Sequence, residues 1–325
     1  MPYRRFLSTY YGIQAEEKIH LFGREGYRKG NEIYFIMILE NKETFYIEKM
    51  SLSAYLLENG YSHIAFPKVN LQGDWHTPLE GNKYIVLAVQ PSYQEPLQTG
   101  IALARFHQIG SNYPYQPKEV SSYGHWRSLW IDKLTAYEMK IQQEAEKRDD
   151  EYHQLWMDVL PYIIGLSENA IQYVRQSEQE QRFSEVDQGT VAFHRYHNQL
   201  ENPILWMDDF VYDHPARDIA EYLRGLLFTM EKREEAFRFL EEYQSVRPLS
   251  VFSWRLIYGR LLFPIPFYDL LYRGFQAEKT DDGTLHDELQ HLLKKQTRYE
   301  NVLKNFFELA GIDAEMLQIP MVQWL

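Results

Sequence analysis

The stretch Val191 to Arg224, VAFHRYHNQLENPILWMDDFVYDHPARDIAEYLR, constrains the fold more than any other part of the chain. A short apolar run delivers His194, and a compact polar turn follows. A second apolar run, Ile204 to Met207, ends in the paired carboxylates Asp208 and Asp209. A loop closed by Pro215, a further acid at Asp218 and an amphipathic helix complete the stretch. This is the pattern of a strand that presents acids at its carboxyl end before a helix carries the chain away. Carboxylates held in that way suit Mg²⁺, a hard cation that takes oxygen ligands and bridges to phosphate.

Composition narrows the classes. The chain has 325 residues, enough for two domains or two lobes with a large core. With 46 acids against 34 Lys and Arg the net charge is −12, which argues against nucleic acid, whose phosphates draw clustered cations. The 25 Tyr, 18 Phe and 7 Trp exclude a disordered chain. No cysteine is present, so disulfides, thiolate nucleophiles and Cys-ligated zinc are excluded. MPYRRFLSTYYG has no apolar run behind its arginines, and no stretch of membrane-spanning length is apolar throughout. The expectation is a soluble, cytoplasmic protein with no membrane partner.

Taken in order, residues from Lys18 to about Val89 read as β-hairpins with one inserted helix. Glu32–Leu39 and Thr44–Lys49 are expected as strands joined by a turn over residues 40–43. Ser51 is expected to cap a short helix, Leu52–Glu58, that ends at Asn59-Gly60. A strand from Lys68, a Gly73-Asp74 turn, a Gly81-Asn82 turn and an apolar strand Tyr84–Val89 follow. After a hinge between Pro91 and Pro96, TGIALARFHQIG reads as a helix with His107 on its apolar side, a packing histidine. From Tyr123 to Gln181 the pattern is helical, with a core stripe at Trp126, Trp130, Leu134 and Tyr137, and EAEKRDDEYHQ as a solvated face. Residues 178–187 read as a linking loop. Past the central stretch come a helix Lys232–Gln244, two apolar helices broken at Pro264 and Pro266, and a long amphipathic helix from Asp281 to Ala310. The apolar end MLQIPMVQWL either docks on the body or contacts another protein.

The central stretch resembles the catalytic segment of the aminoglycoside phosphotransferase and choline kinase-like superfamily. The resemblance rests on the apolar strand into Met207-Asp208-Asp209-Phe210, on Asp218 opening a helix, on His194 as the loop histidine, and on Gly100-Ile101-Ala102-Leu103-Ala104-Arg105-Phe106-His107 as the opening helix of the large lobe. It implies an α+β, two-lobed protein kinase-like fold: a small antiparallel-sheet lobe with one helix over 1–92, and a mainly helical lobe over 93–325. It implies ATP and Mg²⁺ as cofactors, with Lys49 on phosphate, Glu58 as its helix partner, Asp208 and Asp209 toward metal, and Asp218 as a structural acid. Gly23, Gly26 and Gly30 match a phosphate loop only loosely and read as turn residues. Within the superfamily, GLSEN, EEYQSVRPLS and LLFPIPFYDLL resemble the spore-coat proteins of the CotS and YutH type. That placement implies synthesis in the cytoplasm of the mother cell, deposition on the spore coat and other coat proteins as partners.

Two departures weigh against catalysis. The loop acid expected two residues after His194 is Tyr196, and the metal-binding Asn seven residues after it is Glu201. Tyr ionises near pH 10 and is a poor base at pH 7, and loss of a positioned base costs on the order of 10²–10⁴ in rate. The first reading is therefore a catalytically degenerate pseudokinase with a structural role in the spore coat. The alternative is an ATP/Mg²⁺-dependent phosphotransferase acting on a small-molecule substrate. A metal-dependent hydrolase is a remote third, drawn from His194-x-x-His197 and the His286-Asp287 pair.

Overall fold

The computed structural model describes residues 3–40, 42–93, 97–145, 150–276 and 282–322. Part of the expected hinge (94–96), part of the charged run (146–149) and the last three residues lie outside them. Contacts divide the chain into two compact units, Met1–Ser121 with Gly189–Asp213, and Ser122–Gln188 with His214–Leu325.

The first unit is built on a sheet. Helix α1 (Tyr3–Tyr11) precedes strands β1 (Glu17–Leu21), β2 (Arg24–Lys29) and β3 (Glu32–Leu39), helix α2 (Glu43–Glu58), strands β4 (Ile64–Pro67), β5 (Thr77–Leu79) and β6 (Asn82–Val89), and helix α3 (Thr99–Gly110). After the excursion into the second unit the chain returns as β7 (Thr190–Phe193), β8 (Leu205–Trp206) and β9 (Phe210–Asp213). The order is β1-β2-β3-β6-β4-β8, with β5 also on β6, while β7 and β9 pair apart. All pairings within the sheet are antiparallel except β4 with β8.

Alternation along the strands sorts two cores, because successive strand side chains point to opposite faces. Ile33 and Phe35 of β3 and Ile85 and Leu87 of β6 face a core shared with Tyr46, Ile204 and Trp206. Tyr34 and Val86 face the other side, where Phe6, Leu7 and Tyr11 of α1 cover them. The β1–β2 hairpin closes in two residues, Phe22 and Gly23, both at positive φ, the geometry that matches strand twist in tight hairpins. Gly26 faces the Phe35 ring so closely that a Cβ would collide with it. These two glycines therefore serve the hairpin and the packing of β2 on β3.

The strands expected at Glu32–Leu39 and Tyr84–Val89 and the helix over residues 99–110 form as read. The segment between them corrects the sequence reading. Thr44–Lys49 is not a strand, and Ser51 is not a cap: Glu43 to Glu58 is one continuous helix. Thr44, Phe45, Tyr46 and Ile47 favour strands locally. Burial at Tyr46, Lys49, Leu52, Ser53 and Leu56 recurs every three or four residues, and that tertiary demand decides for helix. Likewise the strand expected from Lys68 is β4, ending at Pro67. Lys68–Asp74 is a loop in which the Asn70 Oδ1 accepts from the Gln72 and Asp74 amides.

The second unit is helical: α4 (Trp126–Ala145), α5 (Glu151–Gln179), α6 (Ala216–Leu227), α7 (Arg233–Val246), α8 (Val251–Leu262), α9 (Ile265–Gln276), α10 (Asp282–Lys304) and α11 (Phe306–Leu309). Almost every residue of α8 is buried. Its Arg260 donates to Glu221 of α6 at 2.8 Å, and Arg224 holds the other oxygen at 3.1 Å. Of the expected stripe, Trp126 and Trp130 are buried, with Trp130 stacked on Phe263 at 4.3 Å, while Leu134 and Tyr137 are half-buried. Tyr173 donates to the Pro320 carbonyl, which ties the middle of the apolar end to α5.

Asp187, in the link expected to be a plain loop, is a buried junction. Its carboxylate accepts from Ser250 (2.7 Å), Ser253 (2.6 Å) and the Ser184 amide (2.7 Å), with His214 Nε2 at 3.2 Å. Burial alone would push its pKa up, yet the bonds from His214, Ser250, Ser253 and Ser184 pull it down to about 2 from 3.8. A depressed carboxylate stabilises the fold above its unfolded pKa and loses that contribution as pH falls through the folded one. Asp187→Asn should therefore cost about 2 kcal/mol at pH 7. Denaturant titration should show the gap from wild type closing as pH falls from about 4 toward about 2. A gap that persists unchanged at the acid end would exclude the charge as its source.

Candidate functional site

Helix α2, the β1–β2 hairpin and the link from β8 to β9 converge on the paired acids. Met207–Asp209 is a single turn of 3₁₀-helix between β8 and β9, so Asp208 and Asp209 sit on a turn and the alternation of a continuing strand does not apply to them. The turn is held from two sides by main-chain bonds. The His194 amide donates to the Asp209 carbonyl at 2.6 Å. The Lys49 ammonium donates to the Asp208 carbonyl at 2.7 Å and to the Phe210 carbonyl.

Lys49 is 2% exposed and lies mid-helix, with its ammonium 5.0 Å from the centre of the Phe45 ring. The sequence alone predicts a strand end for Lys49, with Glu58 as its helix partner. Both residues are on α2, nine positions apart, which is about 13 Å of helix, and Glu58 is exposed at its end. The pairing is therefore not made.

The Asp208 carboxylate is taken by a residue the sequence reading passed over. Arg24, the first residue of β2, donates to Asp208 through Nη2 at 2.7 Å and through Nη1 at 3.4 Å. Its guanidinium lies 4.1 Å over the Trp206 ring, and Nη1 is 3.6 Å from the Met37 sulfur. A planar fork stacked on an aromatic face and aimed at a carboxylate is the arrangement in which arginine binds best. Asp209 has a different environment. Burial and the neighbouring Asp208 charge push its carboxyl up to about 6, with Arg24 and Lys49 pulling the other way.

The remaining expected residues separate. His194 is exposed, and its amide donates to the Asp209 carbonyl. Tyr196 is fully buried, packed on Phe193 at 5.2 Å, with its hydroxyl 3.2 Å from Asn198 Oδ1. Glu201 is exposed at the end of a short turn, 3.5 Å from the Thr99 hydroxyl. His107 is fully buried, as a packing histidine requires, and its carbonyl accepts from Thr190. Asp218 is fully buried in the first turn of α6, within the second unit. Among the described residues no three His, Asp or Glu come together to hold a metal ion, so His194 with His197, and His286 with Asp287, do not grow into such a cluster.

Glu48, beside Lys49, carries no sequence signal of its role. Its carboxylate accepts from the amides of Lys118, Glu119 and Val120 at 2.9, 2.8 and 3.0 Å. Neighbouring side chains of one helical turn thus gather three amides and two carbonyls from distant chain.

Two carboxylates can hold Mg²⁺ when a nucleotide's phosphates complete the shell. Here Arg24 occupies Asp208, and Lys49 is committed to the main chain. The donor set does not fit a resident metal unless Arg24 is displaced.

The family model described as "Spore coat putative kinase YutH" matches residues 4–306. The endospore coat-associated protein YutH of Bacillus subtilis (strain 168) is 32% identical over 304 residues, covering 90% of this chain and 89% of that protein. Among solved structures, an aminoglycoside phosphotransferase from Alicyclobacillus acidocaldarius subsp. acidocaldarius DSM 446 is similar with a TM-score of 0.63 at 12% identity, over 92% of this chain and 94% of that one. The amicoumacin kinase hAmiN, in complex with AMP-PNP, Ca²⁺ and Ami, gives 0.55 at 15% identity, over 96% and 95% of the two chains. At these identities the two structures show the fold alone, which is α+β and protein kinase-like. The match to the family model and the identity to the curated relative place this chain in the YutH family of spore-coat proteins of kinase-like fold.

Proposed function

We propose that this protein is a pseudokinase of the spore coat, made in the mother-cell cytoplasm and retained for a structural role among other coat proteins. Its lobes would be 1–92 and 93–325. The observation that carries this reading is the Arg24–Asp208 ion pair: a guanidinium occupies the carboxylate that a catalytic Mg²⁺ would need. Two further features support it. The lysine expected on phosphate binds carbonyls of its own chain. The loop position expected to carry an acid is Tyr196, fully buried. The coat assignment rests on the similarity to the endospore coat-associated YutH of Bacillus subtilis.

Calorimetric titration with ATP and Mg²⁺ should give no heat with wild-type protein at millimolar nucleotide. Magnesium-dependent binding that disappears in Asp208→Ala would overturn the pseudokinase reading and support a phosphotransferase. In Arg24→Ala, recovery of weak Mg²⁺ binding is the expected sign that the guanidinium blocks the site.

Lys49 carries a second expectation. If it is structural, Lys49→Met strands two carbonyls and should cost roughly 2–4 kcal/mol in denaturant unfolding. A lysine kept for phosphate alone would leave stability nearly unchanged.

A third test concerns the coat. In a sporulating host lacking its own relative, a fluorescent fusion carrying Asp208→Ala should reach the spore surface as efficiently as wild type. Failure of the wild-type fusion to reach it would remove the coat assignment.

A further inference from the structure

A cavity of about 360 Å³ opens in the first unit, and none of Arg24, Lys49, Asp208 or Asp209 lines it. It draws Tyr61 and His63 from the link between α2 and β4, Arg105 and Ile109 from α3, and Glu201 from the turn before β8. Its size falls at the lower end of ordinary small-molecule sites.

Three features point to a ligand. His63 is 2% exposed, yet its Nδ1 has no hydrogen-bond partner among the described residues. Burial pushes the imidazole down, so it is neutral at pH 7. A buried ring nitrogen left without a partner costs on the order of 1–3 kcal/mol, and native folds keep few of them. Arg105 and Glu201 line the same cavity, are both exposed, and form no ion pair with each other or with any described residue. Opposite charges facing one cavity without meeting leave room for a molecule that carries the complementary pair. Tyr61 stands beside Arg105, its hydroxyl kept protonated by burial and available as a neutral donor. The apolar wall is Leu97, Ile109 and Leu200.

We propose that this cavity binds a free α-amino acid with an apolar side chain. The carboxylate lies on the Arg105 fork, the ammonium on Glu201 and the side chain against Leu97 and Ile109, with His63 taking a polar contact. This does not rest on the pseudokinase reading, because no residue is shared with the Asp208 turn.

The test titrates the full chain by calorimetry with L-leucine, with 4-methylpentanoate, which lacks the ammonium, and with L-leucinamide, which lacks the carboxylate. Saturable L-leucine binding at millimolar concentration or below is expected, and each truncated analogue should bind at least about tenfold more weakly. Arg105→Gln and Glu201→Gln, both at exposed positions and checked for folding by circular dichroism, should each weaken L-leucine by a similar factor. Asp208→Ala should bind it like wild type. Absence of saturable L-leucine binding overturns the proposal. So does 4-methylpentanoate binding as tightly as L-leucine, which would mark a plain anion site, or binding unchanged in both charge variants.

Discussion

One ammonium group sets the geometry of the paired acids. Lys49 reaches from the middle of α2 to the carbonyls on either side of Asp209 and is enclosed once there. A buried cation needs acceptors, and the main chain on both sides of Asp209 supplies them. The turn is thereby fixed in position, and its first carboxylate is presented to the β1–β2 hairpin, where Arg24 and Trp206 receive it. Without the lysine the Asp208 and Phe210 carbonyls lose their donor, and the His194 amide on the Asp209 carbonyl remains to hold the turn.

The result is an acidic turn whose charge is already answered. Asp208 and Asp209 face Arg24 and Lys49, and with both acids ionised the formal charges cancel. A divalent cation is drawn to sites with surplus negative charge and free oxygen lone pairs. Here the Asp208 oxygens already accept from Arg24, and burial with the Asp208 charge shifts the Asp209 carboxyl up to about 6. The two carboxylates thus lie beside cations supplied by the same chain.

Much of this was legible in the chain and some was not. The strands at Glu32–Leu39 and Tyr84–Val89 announce themselves by apolar runs bounded by turns, and the helix at 99–110 by its period. The acids at 208 and 209 stand out because they close the apolar run Ile204 to Met207. Helix α2 was half misread because Thr44 to Ile47 have the side chains of a strand, and only burial against the sheet overrules them. Arg24 was invisible for another reason. One cation after a turn glycine carries no pattern, and its partner lies 184 residues away. Asp187 hid likewise in a hydrophilic link, its serines more than sixty residues downstream. Local patterns report periodicity; they do not report which polar groups meet across a fold.

The first unit is discontinuous: its last segment, Gly189–Asp213, follows an excursion through Ser122–Gln188. Strand β8, the carbonyls that Lys49 needs and the carboxylate that Arg24 needs all belong to that late segment. A ribosome releases chain from the N-terminus at about 5–20 residues per second. The early sheet must therefore wait several seconds with a cation buried in prospect and its β4 edge uncovered. Contacts of such high sequence separation slow folding and leave strand edges exposed while they form. The architecture that quiets the acidic turn thus has its cost during synthesis, as an interval in which the nascent sheet is open to the wrong partner.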